Sequence, residues 1–264
     1  SDDKQTILRF PNPTKALSNW YEGQVVGDIW GYTTVGIAKS NQEMTDHLAN
    51  NKPSWGSNWA AGDVMYKDLN GDKAVNSGKS TLDDHGDLSV IGNSNPRFKY
   101  GFTVDAAFKG FDFRAFIQGV AKRDYMLSGP YFWGASGGMW QSAAFVEHWD
   151  FFRPEGDPLG ANLDAYFPRP QFTQSSKNQQ TQTRYLQDAS YMRLKNIQLG
   201  YTLPQNVVKY AGMQTARLYV SVDNLLTVSQ ITGIFDPELL GGDWGPGKLY
   251  PLSRTVSFGV NLNF

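Results

Sequence analysis

The stretch Arg97–Val120, RFKYGFTVDAAFKGFDFRAFIQGV, decides how the rest of the chain is read. Taken with a period of two, it puts Phe98, Tyr100, Phe102, Val104, Ala106 and Phe108 on one face and breaks at Lys109-Gly110. The return puts Phe111, Phe113, Ala115, Ile117 and Gly119 on one face. Two alternating runs joined by so short a link predict a β-hairpin with one apolar side. RTVSFGVNLNF (Arg254–Phe264) repeats the pattern, with Val256, Phe258, Val260, Leu262 and Phe264 set against Thr255, Ser257, Gly259, Asn261 and Asn263. YMRLKNIQLGYTLP (Tyr191–Pro204) and ARLYVSVDNLLTV (Ala216–Val228) add two strands. YEGQVVGDIWGYTTVGI (Tyr21–Ile37) is expected to be a sixth, and TILRF (Thr6–Phe10) is a candidate seventh.

Composition narrows the choice of class. The 264 residues carry 24 Lys and Arg against 25 Asp and Glu, a net charge of -1, so no basic field exists to attract nucleic acid. The chain has no cysteine, which removes disulfides, thiolate metal sites and thiol nucleophiles together. No run approaches the ~18 apolar residues of a membrane helix, and Ser1 opens no signal-peptide pattern. A content of 14% aromatic residues and 27 Gly within a mean hydropathy of -0.45 is what alternating strands joined by polar loops produce.

The expected connections run long, short, long, short, long. A membrane barrel keeps short turns on one side and long loops on the other, whereas a sandwich has no reason to alternate in this way. Six or seven strands fall below the roughly eight of the smallest membrane barrels, so the sequence reads as part of a barrel. Its one domain, 1–264, is then all-β: antiparallel strands of part of a transmembrane β-barrel with long extracellular loops. The rival is a secreted β-sandwich that binds carbohydrate and carries a structural calcium loop.

The blocks VGDIWGYTTVGIAKSNQEM, GDVMYKDLNGD, VIGNSNPRFKYGFTVDAAFKGFDFRAFIQGV, YMRLKNIQLGYTLP, YVSVDNLLTVSQITGIFDPE and YPLSRTVSFGVNLNF, in this order, resemble the C-terminal barrel portion of SusC/RagA-like TonB-dependent outer-membrane transporters of Bacteroidetes. The resemblance implies a multi-pass outer-membrane location and import of glycan fragments or peptides. It also implies a plug and further strands in an N-terminal part outside this sequence, energy supplied through TonB, and a SusD-like lipoprotein over the extracellular mouth. Lipid is the remaining expected contact and no enzymatic activity is implied. A terminal aromatic of this kind is an outer-membrane assembly signal, a role that falls on Phe264.

Asp68, Asn70 and Asp72 have the alternating spacing that lets oxygens converge on a hard cation such as calcium. The loop departs from an EF-hand afterwards: Lys73 stands where the turn glycine belongs and Lys79 where a bidentate acid belongs, leaving Asp83 or Asp84 as substitutes. A solvated Asx turn is the other reading. His47, His85 and His148 have no metal-binding spacing. Gly134–Gly138 matches G-x-S-x-G by letter without its strand-turn-helix setting, and Glu147, Asp150 and Glu155 read as a solvated face. The aromatic loops hold Trp133, Trp140, Trp149 and Trp244 as candidate ligand or partner contacts, with packing among the loops as the alternative. MWQSAAFVEHWDFF (Met139–Phe152) is expected to be a short helix. Trp140 and Trp149, nine positions apart, would then lie about 180° out of register, facing different ways.

Overall fold

The computed structural model describes residues 5–134, 144–241, 247 and 249–264. Five strands form one antiparallel sheet: β1 (Phe98–Phe108), β2 (Phe111–Ala121), β3 (Tyr191–Thr202), β4 (Thr215–Ser229) and β5 (Thr255–Asn263). They lie side by side in chain order, with β1 and β5 at the edges. Registers show that every short link closes one end of the sheet. Phe108 pairs with Phe111 across Lys109-Gly110, and Thr215 pairs with Asn263 beside the 203–214 connection. The long segments 122–190 and 230–254 leave from the other end, where Phe98 pairs with Ala121 and Tyr191 with both Val120 and Ser229.

Paired residues in an antiparallel sheet point to the same side, so the register defines the faces. Val104, Ala115, Ile197, Val222 and Val256 make one row across all five strands, and Ala106, Phe113, Leu199, Val220 and Phe258 make the next. This face is apolar from edge to edge. Val104, Leu199, Leu218, Val256, Phe258, Val260 and Leu262 are exposed on it, Phe258 at 84%, and no second sheet packs over it among the described residues. The reverse face carries Asp105, Arg114, Gln198, Ser221 and Ser257 in its middle rows. A sandwich needs a covered apolar face, so the sandwich alternative fails on this geometry.

One irregularity keeps the faces in phase. Leu194 and Ile197 are three apart, a spacing that would send Ile197 to the polar side of a regular strand. The register of β3 shifts between Leu194 and Asn196 against both neighbours, a bulge that returns Ile197 to the apolar face.

Two expectations are corrected. Tyr21–Ile37 is no barrel strand: it splits into Asp28–Tyr32, paired with Leu88–Asn93, and Thr34–Ile37, paired with Val64–Tyr66, both outside the five-stranded sheet. Gly31 has no room for a side chain, since a Cβ would meet the Thr181 carbonyl oxygen at 2.8 Å, and Tyr32 and Ile37 are both buried. Thr6–Phe10 forms one isolated bridge, Thr6 to Val25, and no strand. Asn41–Leu48 is a helix, capped by the Ser40 hydroxyl, which accepts from the Glu43 amide at 3.1 Å. Of Met139–Phe152, Val146–Trp149 is a single 3₁₀ turn and residues 139–143 lie outside the described set.

The Lys109-Gly110 turn has positive φ at both positions, 48° and 90°, the requirement of a type I′ link whose twist matches the strands. Replacing Gly110 by Val is expected to cost the assembled barrel about 1–3 kcal/mol, while Lys109→Asn leaves it unchanged. Urea unfolding of the full-length protein in detergent reads both.

Candidate functional site

The long segments are the chemically varied part of the chain, and they share one hydrophobic core. Tyr32, Val64, Tyr66 and Val75 before the sheet, Leu127, Phe132, Trp133, Phe152, Phe167 and Tyr185 between β2 and β3, and Ile231, Phe235 and Leu240 after β4 are all buried in it. Trp133 stacks edge-on against Tyr185 at 4.6 Å, and Trp55 against Tyr66 at 5.2 Å. Burial pushes the Tyr66 and Tyr185 hydroxyls above the ordinary tyrosine range, so both are neutral hydrogen-bonding groups. Tyr66 donates to the Lys177 carbonyl at 2.8 Å and Tyr185 to that of Tyr166 at 3.0 Å.

Asp63, fully buried, ties these segments together. Its carboxylate accepts from Arg169 (2.8 and 3.0 Å), Lys177 (2.8 Å), Asn178 (2.9 Å), Gln171 (3.2 Å) and the Ala60 amide (2.9 Å). Burial acts to raise this carboxyl, but the bonds from Arg169, Asn178, Lys177 and Ala60 outweigh it and hold it below the usual range. Burial lowers the Lys177 ammonium against the pull of Asp63. Lys177 is itself buried, gives further bonds to the Ser57 and Asn58 carbonyls, and lies over the Trp59 ring.

A second ionic group fixes the third segment to the sheet. Arg193 and Lys195, on either side of Leu194 at the bulge, reach Asp236 and Glu238: Arg193 to Asp236 at 2.8 Å and to Glu238 at 3.1 Å, and Lys195 to Glu238 at 2.8 Å. Arg193 also donates to the Thr227 hydroxyl on β4 at 2.8 Å.

Most of the residues singled out from sequence have a definite place. Trp133 is buried in the shared core and does not face outward, a correction whose cause is its contact with Phe132 and Tyr185. Trp149 is 58% exposed, with Arg153 over its ring. Trp140, Trp244 and residues 135–138 of the G-x-S-x-G match lie outside the described residues. Phe264 is exposed beside the last paired residue of β5. His47 and His148 bond to the Tyr66 and Phe132 carbonyls, and among the described residues no three His, Asp or Glu side chains group as metal ligands.

The Asp68–Asp72 loop directs its oxygens at its own backbone. Asp68 accepts from the Gly71 and Lys73 amides, both at 2.7 Å, and Asp72 from Ala74 at 2.8 Å. Burial acts to raise the Asp68 carboxyl, but those amides prevail and hold it below its ordinary value. Asp84 instead meets Lys79 at 3.8 Å, and Asp83 is exposed. The geometry of Asp68, Asn70 and Asp72 is that of an Asx turn. Its hub, invisible in the spacing, is buried Asp87, which accepts from Leu69 at 2.7 Å and Asn76 at 2.8 Å.

No family model matches the chain. Over 258 residues, 92% of its length, it is 30% identical to TonB-dependent receptor P3 of Formosa agariphila, and 25% identical over 254 residues to TonB-dependent receptor P26 of the same organism. It spans 22% and 23% of those relatives. Its fold matches part of the RagAB peptide transporter with a TM-score of 0.60, at 23% identity, covering 92% of this chain and 24% of that one. The RagAB importer in its open-open state matches with a TM-score of 0.61 over 97% of this chain. The chain is thus a homologue of TonB-dependent receptors along nearly its whole length, and the resemblance to the SusC/RagA-like barrel holds.

Replacing Asp63 with Ala would leave Lys177 buried without its counter-charge, at an expected cost of about 3–5 kcal/mol to the loop body. Because the folded carboxyl titrates below its unfolded value of about 3.9, its contribution is complete above that pH and fades as pH falls through the lower, folded value. Amide protection factors, exchange relative to the intrinsic rate at each pH, across 57–63 and 169–178 in the full-length protein should stay high down to about pH 4, then fall, and be low at every pH in Asp63→Ala.

Proposed function

We propose that this chain supplies part of the wall and mouth of an outer-membrane importer for peptides or glycan fragments, and performs no catalysis itself. The observation that carries the reading is the uncovered apolar face running across β1–β5, backed by a polar face and by loops gathered at one end. Only lipid or a partner surface suits so large a dry area, and the strand lengths of β1 and β2, 11 residues each, suit a bilayer. Homology to TonB-dependent receptors supports import driven through TonB, by parts of the protein beyond these residues. RagAB, whose fold this chain matches in part, is a peptide transporter, which gives the peptide branch its support. A SusD-like lipoprotein over the loop end is the partner in this proposal, with exposed Trp149 in its contact or in the ligand cavity.

Val260 sits mid-strand on the apolar face, opposite Leu218. Val260→Arg is expected to cost roughly 2–4 kcal/mol near the bilayer midplane, read as unfolding of the full-length barrel in lipid. Ser257→Arg, on the polar face, should cost far less. Equal costs would remove the membrane reading. Trp149→Ala should weaken recovery of the lipoprotein or uptake of labelled oligopeptides, and unchanged values for both would exclude Trp149 from the mouth.

A further inference from the structure

The alternation of apolar and polar residues selects the face of every strand but not its register to better than two positions. A slip of one residue turns β5 inside out and is forbidden by the dry face. A slip of two keeps Val256, Phe258, Val260 and Leu262 on the apolar side, so hydrophobicity alone accepts it. Something else must choose among the registers, because strand stagger sets the tilt and diameter of a closed barrel.

On the polar face, Tyr219 of β4 pairs with Gly259 of β5, and its ring lies flat over that glycine: a Cβ built there would collide with the ring and its hydroxyl. Gly259 is accordingly the one residue of β5 that is not exposed. Next to it, Arg217 stacks on Tyr219 at 5.0 Å and reaches across β3 to Asp112 of β2, its Nε 2.8 Å from the carboxylate. It crosses at Gly200, where a Cβ would collide with both the guanidinium and the carboxylate. Gly200 pairs with Asp112 on one side and Tyr219 on the other. Four strands, β2 to β5, are thus linked by side chains lying along the sheet over two glycines.

We propose that Gly200 and Gly259 are register-determining positions, which admit the Asp112–Arg217–Tyr219 row in one alignment and reject the two-residue slips. If β5 slips by two, Ser257 or Asn261 lies beneath the Tyr219 ring, and each brings a side chain into the space the ring fills. If β4 slips by two against β3, Gln198 or Thr202 takes the place of Gly200 in the path of Arg217. Covering a strand glycine with an aromatic ring also keeps its backbone from water, so the correct register gains what the slipped ones lose. The row works beside the dry face: one fixes which way each strand faces, the other how far along it sits.

This chain has no cysteine, so once any cysteine elsewhere in the full-length protein is replaced by serine, introduced pairs report register directly. In the full-length protein recovered from outer membranes, Leu218→Cys with Val260→Cys should cross-link, since these positions pair, and Leu218→Cys with Phe258→Cys or with Leu262→Cys should not. Adding Gly259→Val should abolish most of the native cross-link, either because a slipped pair replaces it or because assembled barrel is lost. Adding Tyr219→Ala to that variant should restore the native cross-link and the yield, since the ring that excludes the new side chain is gone. A parental native cross-link in Gly259→Val would overturn the proposal, and so would a failure of Tyr219→Ala to rescue it.

Discussion

The structure depends on a sheet with one side that none of the described residues covers. A soluble fold buries its apolar face against a second layer, and the sequence would then need a partner sheet or helix of matching area. Among the described residues no such partner is present: the helices are short, and the strands outside β1–β5 pair with one another among the loops. Within lipid the same face needs no partner, provided every backbone amide is paired between strands, which is what an antiparallel barrel achieves. Length, alternation and the position of the short turns all follow from that one requirement.

The opposite end of the chain obeys the rules of a soluble protein. Long connections that stood separately in water would expose Tyr66, Phe132, Phe167 and Tyr185, so they fold onto one another instead. Asp63 and Arg193 then do complementary work. Asp63 joins the segment before β1 to the one between β2 and β3 with charged hydrogen bonds inside the core. Arg193 joins the segment after β4 to the sheet itself. The Tyr125 hydroxyl closes the circuit by donating to the Leu240 carbonyl at 2.6 Å.

Much of the barrel was legible because period-two alternation is a local signal: Phe98 to Gly119 and Val256 to Phe264 show it within ten or so letters. Tyr21–Ile37 misled for the same reason. Its β-branched and aromatic residues are strand formers, but Tyr32 and Ile37 are buried in the core of the loops, a tertiary fact that composition does not carry. The loop core was partly legible, since the choice between packing and binding for the tryptophans turned on contacts more than 50 residues distant, such as Trp133 with Tyr185. Asp63 gave no signal at all: its partners stand at 169, 171, 177 and 178, and no spacing connects them. The bulge at Lys195, by contrast, is written in the three-residue step from Leu194 to Ile197, and a stricter count of the alternation finds it.

That step and the glycines under Arg217 and Tyr219 answer different parts of one question. An alternating sequence defines a strand only up to a shift by an even number of residues, and an odd error reverses it. The bulge absorbs an odd error in β3, letting Leu194 and Ile197 share a face although their spacing forbids it. The glycines act on the even errors, which cost nothing in apolar burial. Because Tyr219 and Arg217 lie across their neighbours instead of standing upright, each reads the size of one residue on the next strand. A polar face that only had to be wet would have no use for that arrangement. It follows that the interior of this wall carries information the lipid side cannot: the lipid side sets orientation, and the interior sets alignment.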